Sequence, residues 1–317
     1  LDQLLLLILF AMGFLSALLM NDTLAIIGTP LMLYLAQALR ISPKLLLLTL
    51  AFAVTTGSAM SPIGNPQNLL IAINGSLTNP FLVFFQYLFI PTVANLVLAY
   101  LILRLFYKSQ FQQTAIEIPK ECISDPTLAN ISRISIIMLL ILILAKVLAV
   151  TVQSSQQFSL TYIAIFSALP VILFSSRRWE IMKHIDWCTL VFFAAMFVLM
   201  DSVWRSGFFQ SMMQESSLGF GSIPVILALS VFLSQIISNV PFVALFQPLL
   251  HNPSAQDLMA LAAGSTIAGN LFILGAASNV IIIQNAEKSG ETLTFLDFAR
   301  VGVPLTALNV FVYWIFL

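Results

Sequence analysis

Charge is scarce in these 317 residues: only 8% are Asp, Glu, Lys or Arg, and thirteen acidic side chains balance thirteen basic ones. A neutral chain presents no overall field for nucleic acid, so the lysines and arginines carry information only through their positions in loops. Histidine and cysteine are almost missing, with two of each. Cys122 and Cys188 lack metal-type spacing, and His184 and His251 read as solvated loop residues, which argues against a disulfide framework and a metal site alike. No His-Glu-x-x-His, Gly-x-Ser-x-Gly or Gly-rich phosphate loop occurs, so the chain reads as no enzyme, carries no cofactor and has no ATP motor of its own.

What fills the sequence instead is apolar: 60% of residues are hydrophobic and the mean hydropathy is +1.01. That composition predicts an all-α polytopic membrane protein whose main partner is the lipid bilayer. Apolar runs bounded by Gly, Pro, Asn and charge fall at 4–20, 23–39, 45–73, 81–106, 134–152, 160–175, 187–204, 223–238, 240–250, 258–284 and 298–317. Eleven residues from Val240 to Leu250 reach only about 17 Å at 1.5 Å each, against a hydrocarbon core of about 30 Å. That run is too short to cross.

One pattern occurs twice. Asn21-Asp22-Thr23 precedes Pro30 and then Gly64-Asn65-Pro66-Gln67-Asn68; Ser238-Asn239-Val240 precedes Pro248 and then Gly275-Ala276-Ala277-Ser278-Asn279. The spacing from Asn to Pro is nine residues both times, and from Gly to Asn four. Helix breakers and amides within apolar runs point to interrupted helices, and their duplication points to a transporter built from two repeats. The expected fold has re-entrant helical hairpins at 4–39 and 223–250, with tips at Asn21-Asp22 and Asn239, and broken transmembrane helices at 45–73 and 258–284.

Loop charges set the topology. With those hairpins, Arg40, Lys44, Arg104, Lys108, Lys120, Arg133, Arg177, Arg178, Lys183, Lys288 and Arg300 share one side, and only Arg205 lies on the other. By the positive-inside rule the crowded side is the cytoplasm of a multi-pass cell-membrane protein, and the C-terminus lies outside. Five crossings separate the hairpins, so the repeats have inverted topology. Repeat 1 covers 1–106 (hairpin 4–39, broken helix 45–73, span 81–106). A cytoplasmic linker follows at 107–133, with Glu117, Pro119, Lys120, Glu121, Asp125 and Pro126, and repeat 2 covers 134–317. Three spans, 134–152, 160–175 and 187–204, precede the second hairpin and none the first; with Leu1 in place of an initiating Met, this predicts one to three helices ahead of the present start.

Broken helices expose backbone N–H and C=O groups that Asn, Ser, Thr and Asp can satisfy. Asn21, Asp22, Ser238, Asn239, Asn68 and Asn279 therefore read either as N-caps or as ligands, and capping and binding use the same groups. Four helix N-termini brought together near mid-membrane form an anion site. Asp22, whose counterpart is Val240, is an intramembrane carboxylate that would repel an anion unless a proton or sodium neutralises it. Lys146 reads as snorkelling to the outer surface, and Asp201 as an interfacial carboxylate with a proton path as the alternative.

The tip sequences, together with Gly57-Ser58-Ala59-Met60-Ser61-Pro62-Ile63-Gly64-Asn65-Pro66-Gln67-Asn68, Ser234-Gln235-Ile236-Ile237-Ser238-Asn239-Val240-Pro241 and Gly275-Ala276-Ala277-Ser278-Asn279, resemble the ion transporter superfamily. The chain is most similar to its arsenite-permease and citrate-transporter branch, in which Pro-Ile-Gly-Asn-Pro-Gln-Asn is a specific mark. The resemblance implies two inverted repeats, a homodimer and an elevator-like motion. Asn21 and Asn239 match the tip asparagines that bind substrate in the dicarboxylate branch; the expected substrate-binding residues are Asn21, Asp22, Thr23, Asn65, Asn68, Ser238, Asn239, Ser278 and Asn279, and the expected ion-coupling residues Asp22, Gly64, Asn68, Gly275 and Asn279. Asp22 and Val240 stand where the dicarboxylate branch carries tip threonines, which makes the Asn-Asp pair more like the arsenite permeases.

The expected function is secondary active transport of a small inorganic or organic anion, coupled to sodium or protons. The alternative is a sodium-proton antiporter that exchanges at Asp22 without an anion; a passive channel or scaffold is a third class, set apart by flux indifferent to any coupling gradient. Arsenite held by thiolates would need clustered cysteines, so any arsenite site would use oxygen and amide groups.

Overall fold

A computed structural model describes residues 1–112, 125–152, 159–183, 185, 187–214, 221–250 and 252–317. Glu117, Pro119, Lys120, Glu121, Cys122, His184 and His251 lie outside them. Among the described residues every regular element is a helix. The chain divides into two compact units, one of residues 1–118 with 198–317, the other of residues 119–197.

In the larger unit, α1 (Asp2–Leu19) and α2 (Asn21–Leu39) are separated by a single residue, Met20. Arg40 ends α2 in the left-handed conformation, its N–H reaching the carbonyls of Ala36 and Gln37. Helix α3 (Pro43–Ser58) opens with proline at its first position, where no donor is needed, and is buried at every residue from Leu45 to Ser58. Such a helix is core on all sides rather than amphipathic. α4 (Pro66–Asn74) continues it after a seven-residue gap, and Asn79 caps α5 (Pro80–Phe106).

The second half of the unit has the same order. α10 (Phe208–Gln214) leads to α11 (Ile223–Ile237), which one residue, Ser238, separates from α12 (Asn239–Phe246). Ser254 and Asp257 form a capping box for α13 (Ala255–Ile267), buried throughout from Leu258 to Ile267. Two short 3-10 turns, Ala268–Asn270 and Ile273–Gly275, separate it from α14 (Ala277–Lys288), and α15 (Phe295–Phe316) closes the chain behind a second capping box, Thr294 with Asp297. Helices α3 and α13, buried from Leu45 and from Leu258 onward, are the centre of the unit: α1 and α2 pack on α3, α11 and α12 on α13, and α5 on α15.

Close helix approach depends on small residues. A side-chain carbon at Gly57 of α3 would meet the backbone of Gly13 in α1, so these helices cross glycine on glycine. At one end of the unit Lys44 Nζ meets Asp297 Oδ2 at 2.7 Å, joining the starts of α3 and α15, and Arg104 Nε meets Asp2 Oδ1 at 3.3 Å.

The smaller unit holds α6 (Pro126–Thr151), α7 (Leu160–Phe174), α8 (Arg178–Lys183) and the first part of α9 (Trp187–Arg205). α6 starts inside the stretch read as linker, because Asp125 accepts from the Leu128 N–H at 2.9 Å and Pro126 is already shaped for a first helical residue. Among the described residues α1, α2, α5, α6 and α15 are long and apolar enough to cross a bilayer. Helix α2 runs through Pro30, whereas Pro248 sits in the 3-10 turn that ends α12, so the matched prolines do different work.

Candidate functional site

The two one-residue breaks share one backbone shape. Met20 has φ 67° and ψ 144°, Ser238 has φ 70° and ψ 159°, and neither caps the next helix with its side chain. Asn21 and Asn239 are therefore first helical residues rather than N-caps, each 6% exposed. The Asn21 N–H donates to the Gly64 carbonyl at 2.9 Å, its Nδ2 points to Ser278 Oγ at 3.5 Å, and its Oδ1 accepts from the Asp22 N–H at 2.9 Å. One residue beside a helix break thus touches both of the other interrupted segments. The helices after the one-residue breaks cross over in the same sense, α2 against α14 and α12 against α4.

At the first break Asn65 is the N-cap, its Oδ1 accepting from the Asn68 N–H at 2.8 Å. Asn68 lies one turn inside α4 and donates backward from Nδ2 to the carbonyls of Ser58 (3.1 Å), Ala59 (3.3 Å) and Ser61 (3.0 Å). It satisfies the frayed end of α3, not the start of its own helix. Asn279 repeats this in α14, donating to the Gly269 carbonyl at 2.6 Å. Neither amide is an N-cap. The break glycines are required by space, since a side chain at Gly64 would strike the Ser58 carbonyl and one at Gly275 would strike the Ala268 carbonyl and Gln235.

The two breaks differ in how fully they are satisfied. Asn65 Nδ2 donates to Ser58 Oγ (3.0 Å) and to Thr266 Oγ1 (3.1 Å), and the Thr266 hydroxyl donates to Asn68 Oδ1 at 3.3 Å, so a side chain of α13 closes the first break. At the second, Ala276 replaces the capping amide, and Asn279 Oδ1, Gln235 Oε1 and Thr55 Oγ1 are buried with no hydrogen-bond partner among the described residues. Gln235 Nε2 meanwhile donates to the Val231 and Ala268 carbonyls at 3.0 and 2.8 Å. Asn239 Oδ1 is likewise buried and unpartnered among the described residues.

Of the residues expected at a site, Asn21, Gly64, Asn65, Asn68, Asn239, Gly275, Ser278 and Asn279 are buried, Asp22 is half-buried in the first turn of α2, and Thr23 and Ser238 are exposed. Ser58, Thr55, Thr266 and Gln235 are added. Thr55 and Thr266 each stand nine residues before a break glycine, so the repeat carried their signal; Gln235 has Ala17 as its counterpart and carried none. Asp201, by contrast, is exposed and paired with Arg205 at 2.8 Å on α9. Helix α14 begins with no side-chain cap, which offers first-turn N–H groups to an anion, whereas at the start of α2 the Asn21 and Asp22 N–H groups already bond to Gly64 and to Asn21 Oδ1, and α12 has Pro241 in its first turn; the orphan oxygens of the second break suit a cation.

Residues 1–257 match the citrate transporter family. A 46 kDa membrane protein of Mycobacterium leprae is 26% identical over 99% of the chain and 76% of its own length. An uncharacterized transporter of Mycobacterium tuberculosis is 28% identical over 93% of the chain and 72% of its own. The P protein of Homo sapiens is 24% identical over 93% of the chain, which covers 46% of that longer protein.

Proposed function

Since the chain belongs to the citrate transporter family, and is a multi-pass membrane transporter, we propose that it moves a small anion by secondary active transport, coupled to sodium or protons. The observation that carries this reading is Asn21, which joins one helix break to both broken helices through Gly64 and Ser278. Beside it the uncapped start of α14 offers N–H donors, and the second break offers amide and hydroxyl oxygens, so an anion and its neutralising cation find complementary groups within one set of elements. The one-residue breaks act as tips of re-entrant hairpins in two inverted repeats. The crowded positive side is cytoplasmic, and a homodimer working as an elevator is the form that agrees with the superfamily resemblance.

Asp22, in the first turn of α2, supplies the charge that a proton or sodium would neutralise when the anion binds. The test is charge movement in proteoliposomes carrying the intact protein, after jumps of citrate, arsenite, succinate or sulfate at two pH values with and without sodium. A current that needs an anion and shifts with sodium or pH is expected, and Asp22→Asn should change that shift. Sodium-driven proton flux with no anion requirement would make the protein an antiporter acting at Asp22. Flux unaffected by either gradient would overturn both readings.

A further inference from the structure

A second duplicated pattern lies away from the tips and breaks. Helix α5 carries Thr92-x-x-Asn95 one residue after Pro91, and α15 carries Thr306-x-x-Asn309 two residues after Pro304. The two helices pack face to face, and all four polar side chains are buried, at 0–2% exposure. Thr92 Oγ1 shares a 2.7 Å hydrogen bond with the Tyr313 hydroxyl, which the Asn95 side chain also faces. Asn309 Oδ1 accepts from Asn270 Nδ2 at 3.0 Å, and the same Nδ2 reaches Thr56 Oγ1 at 3.0 Å. Thr306, Asn309 and Tyr313 recur at helical spacing on one side of α15. A polar seam therefore runs from the inner ends of α3 and α13, beside the breaks, to within one turn of the end of α15.

Four atoms in this seam have no hydrogen-bond partner among the described residues: Asn309 Nδ2, Asn270 Oδ1, Thr306 Oγ1 and one amide atom of Asn95, whose other amide atom faces the Tyr313 hydroxyl. Within a bilayer each unmet group is expensive, and so many at one place call for a ligand. Its chemistry follows from the lining. Amides and hydroxyls mix donors with acceptors, and no Asp, Glu, Lys or Arg is buried among the described residues, so a bare ion would bring an unneutralised charge. Small neutral molecules that both donate and accept match these groups.

We infer that the Thr-x-x-Asn pairs of α5 and α15 hold a chain of ordered water that relays protons between the broken helices and the outer end of α15. In such a chain each oxygen accepts one proton and releases another, so the water is left unchanged. The relay rests on the proposed transport function; the water does not.

Hydroxyl-radical footprinting of the intact protein in liposomes separates the two. Radicals form only from nearby water, so Tyr313, though fully buried, should be oxidised at least ten-fold more than the equally buried Phe52 and Phe298. Asn95→Leu with Asn309→Leu should remove that difference, and Thr306→Val, nearly isosteric, should reduce it if the double variant fails to fold. Equal labelling of Tyr313 and Phe52 overturns the water chain. Proton uptake driven by a citrate gradient, read with an internal pH dye, should fall at least ten-fold in the seam variant while citrate affinity stays within two-fold; unchanged proton uptake overturns the relay. If citrate drives no uptake in wild-type liposomes, citrate is rejected as the substrate and uptake is read with whichever of arsenite, succinate or sulfate drives current; unchanged uptake in the seam variant then overturns the relay, while a labelled Tyr313 leaves the water chain standing.

Discussion

Two buried amides, Asn68 and Asn239, differ in what they hold. Asn68 satisfies three carbonyls at the end of α3, whereas the Oδ1 of Asn239 satisfies nothing among the described residues. Truncating Asn68 strands buried acceptors, so Asn68→Ala should destabilise the fold by about 1–3 kcal/mol, seen as a lower melting temperature in detergent. Asn239→Ala should leave the melting temperature nearly unchanged and reduce anion flux at least ten-fold. Equal stability losses in the two variants would show that Asn239 is structural and remove it from the site. The sequence made both asparagines conspicuous, since each falls in an apolar run at a duplicated position, but not their difference. Thr266 meets Asn65 across 201 residues of chain, a contact that no local spacing encodes. The Thr-x-x-Asn pairs were equally visible in principle, yet two small polar residues per apolar helix are ordinary until the helices are seen to face each other.

Among the elements, helices and their interruptions were the most legible part of the chain, because proline, glycine and asparagine act on the backbone over a few residues. Helix α3 ends at Ser58 and α4 starts at Pro66 for reasons within that stretch: Gly64 admits the Ser58 carbonyl and Asn65 caps α4. The start of α6 was less legible, since Asn130 and Arg133 read as loop until Asp125 and Pro126 are recognised as a helix opening. Packing between elements depends on size alone at the Gly13–Gly57 crossing. Gly57→Ala should destabilise the protein by about 1–3 kcal/mol through overpacking, whereas Gly221→Ala, with open space around it, should have no measurable effect. Comparable melting temperatures for both variants would show that α1 and α3 can slide apart at no expense.

Across the whole molecule, Lys44–Asp297 and Arg104–Asp2 tie elements from distant parts of the sequence at one end of the larger unit. The proposed orientation puts that end in the cytoplasm, with Arg205 outside. Single cysteines in a chain free of Cys122 and Cys188 test it: Arg205→Cys should react with an impermeant maleimide in intact cells, and Lys288→Cys only after permeabilisation. The reverse labelling would invert the topology, and labelling of both from outside would refute the inverted repeats. Exposed pairs of this kind contribute about 0–1 kcal/mol each, so they serve to place the helix ends rather than to hold the fold.

Met20 and Ser238 occupy a backbone region that side-chain-bearing residues rarely enter, at an expense of about 1–3 kcal/mol each. A chain that only needed a turn would place glycine there. Met20→Gly should therefore raise the melting temperature and slow turnover; a faster or unaltered cycle would show that the conformation is incidental. Each break is strained backbone, and among the described residues only the first is visibly latched, by the bonds of Asn21 to Gly64 and Ser278, so on the proposed transport reading the second is the one whose relaxation would be set by what binds at Asn239.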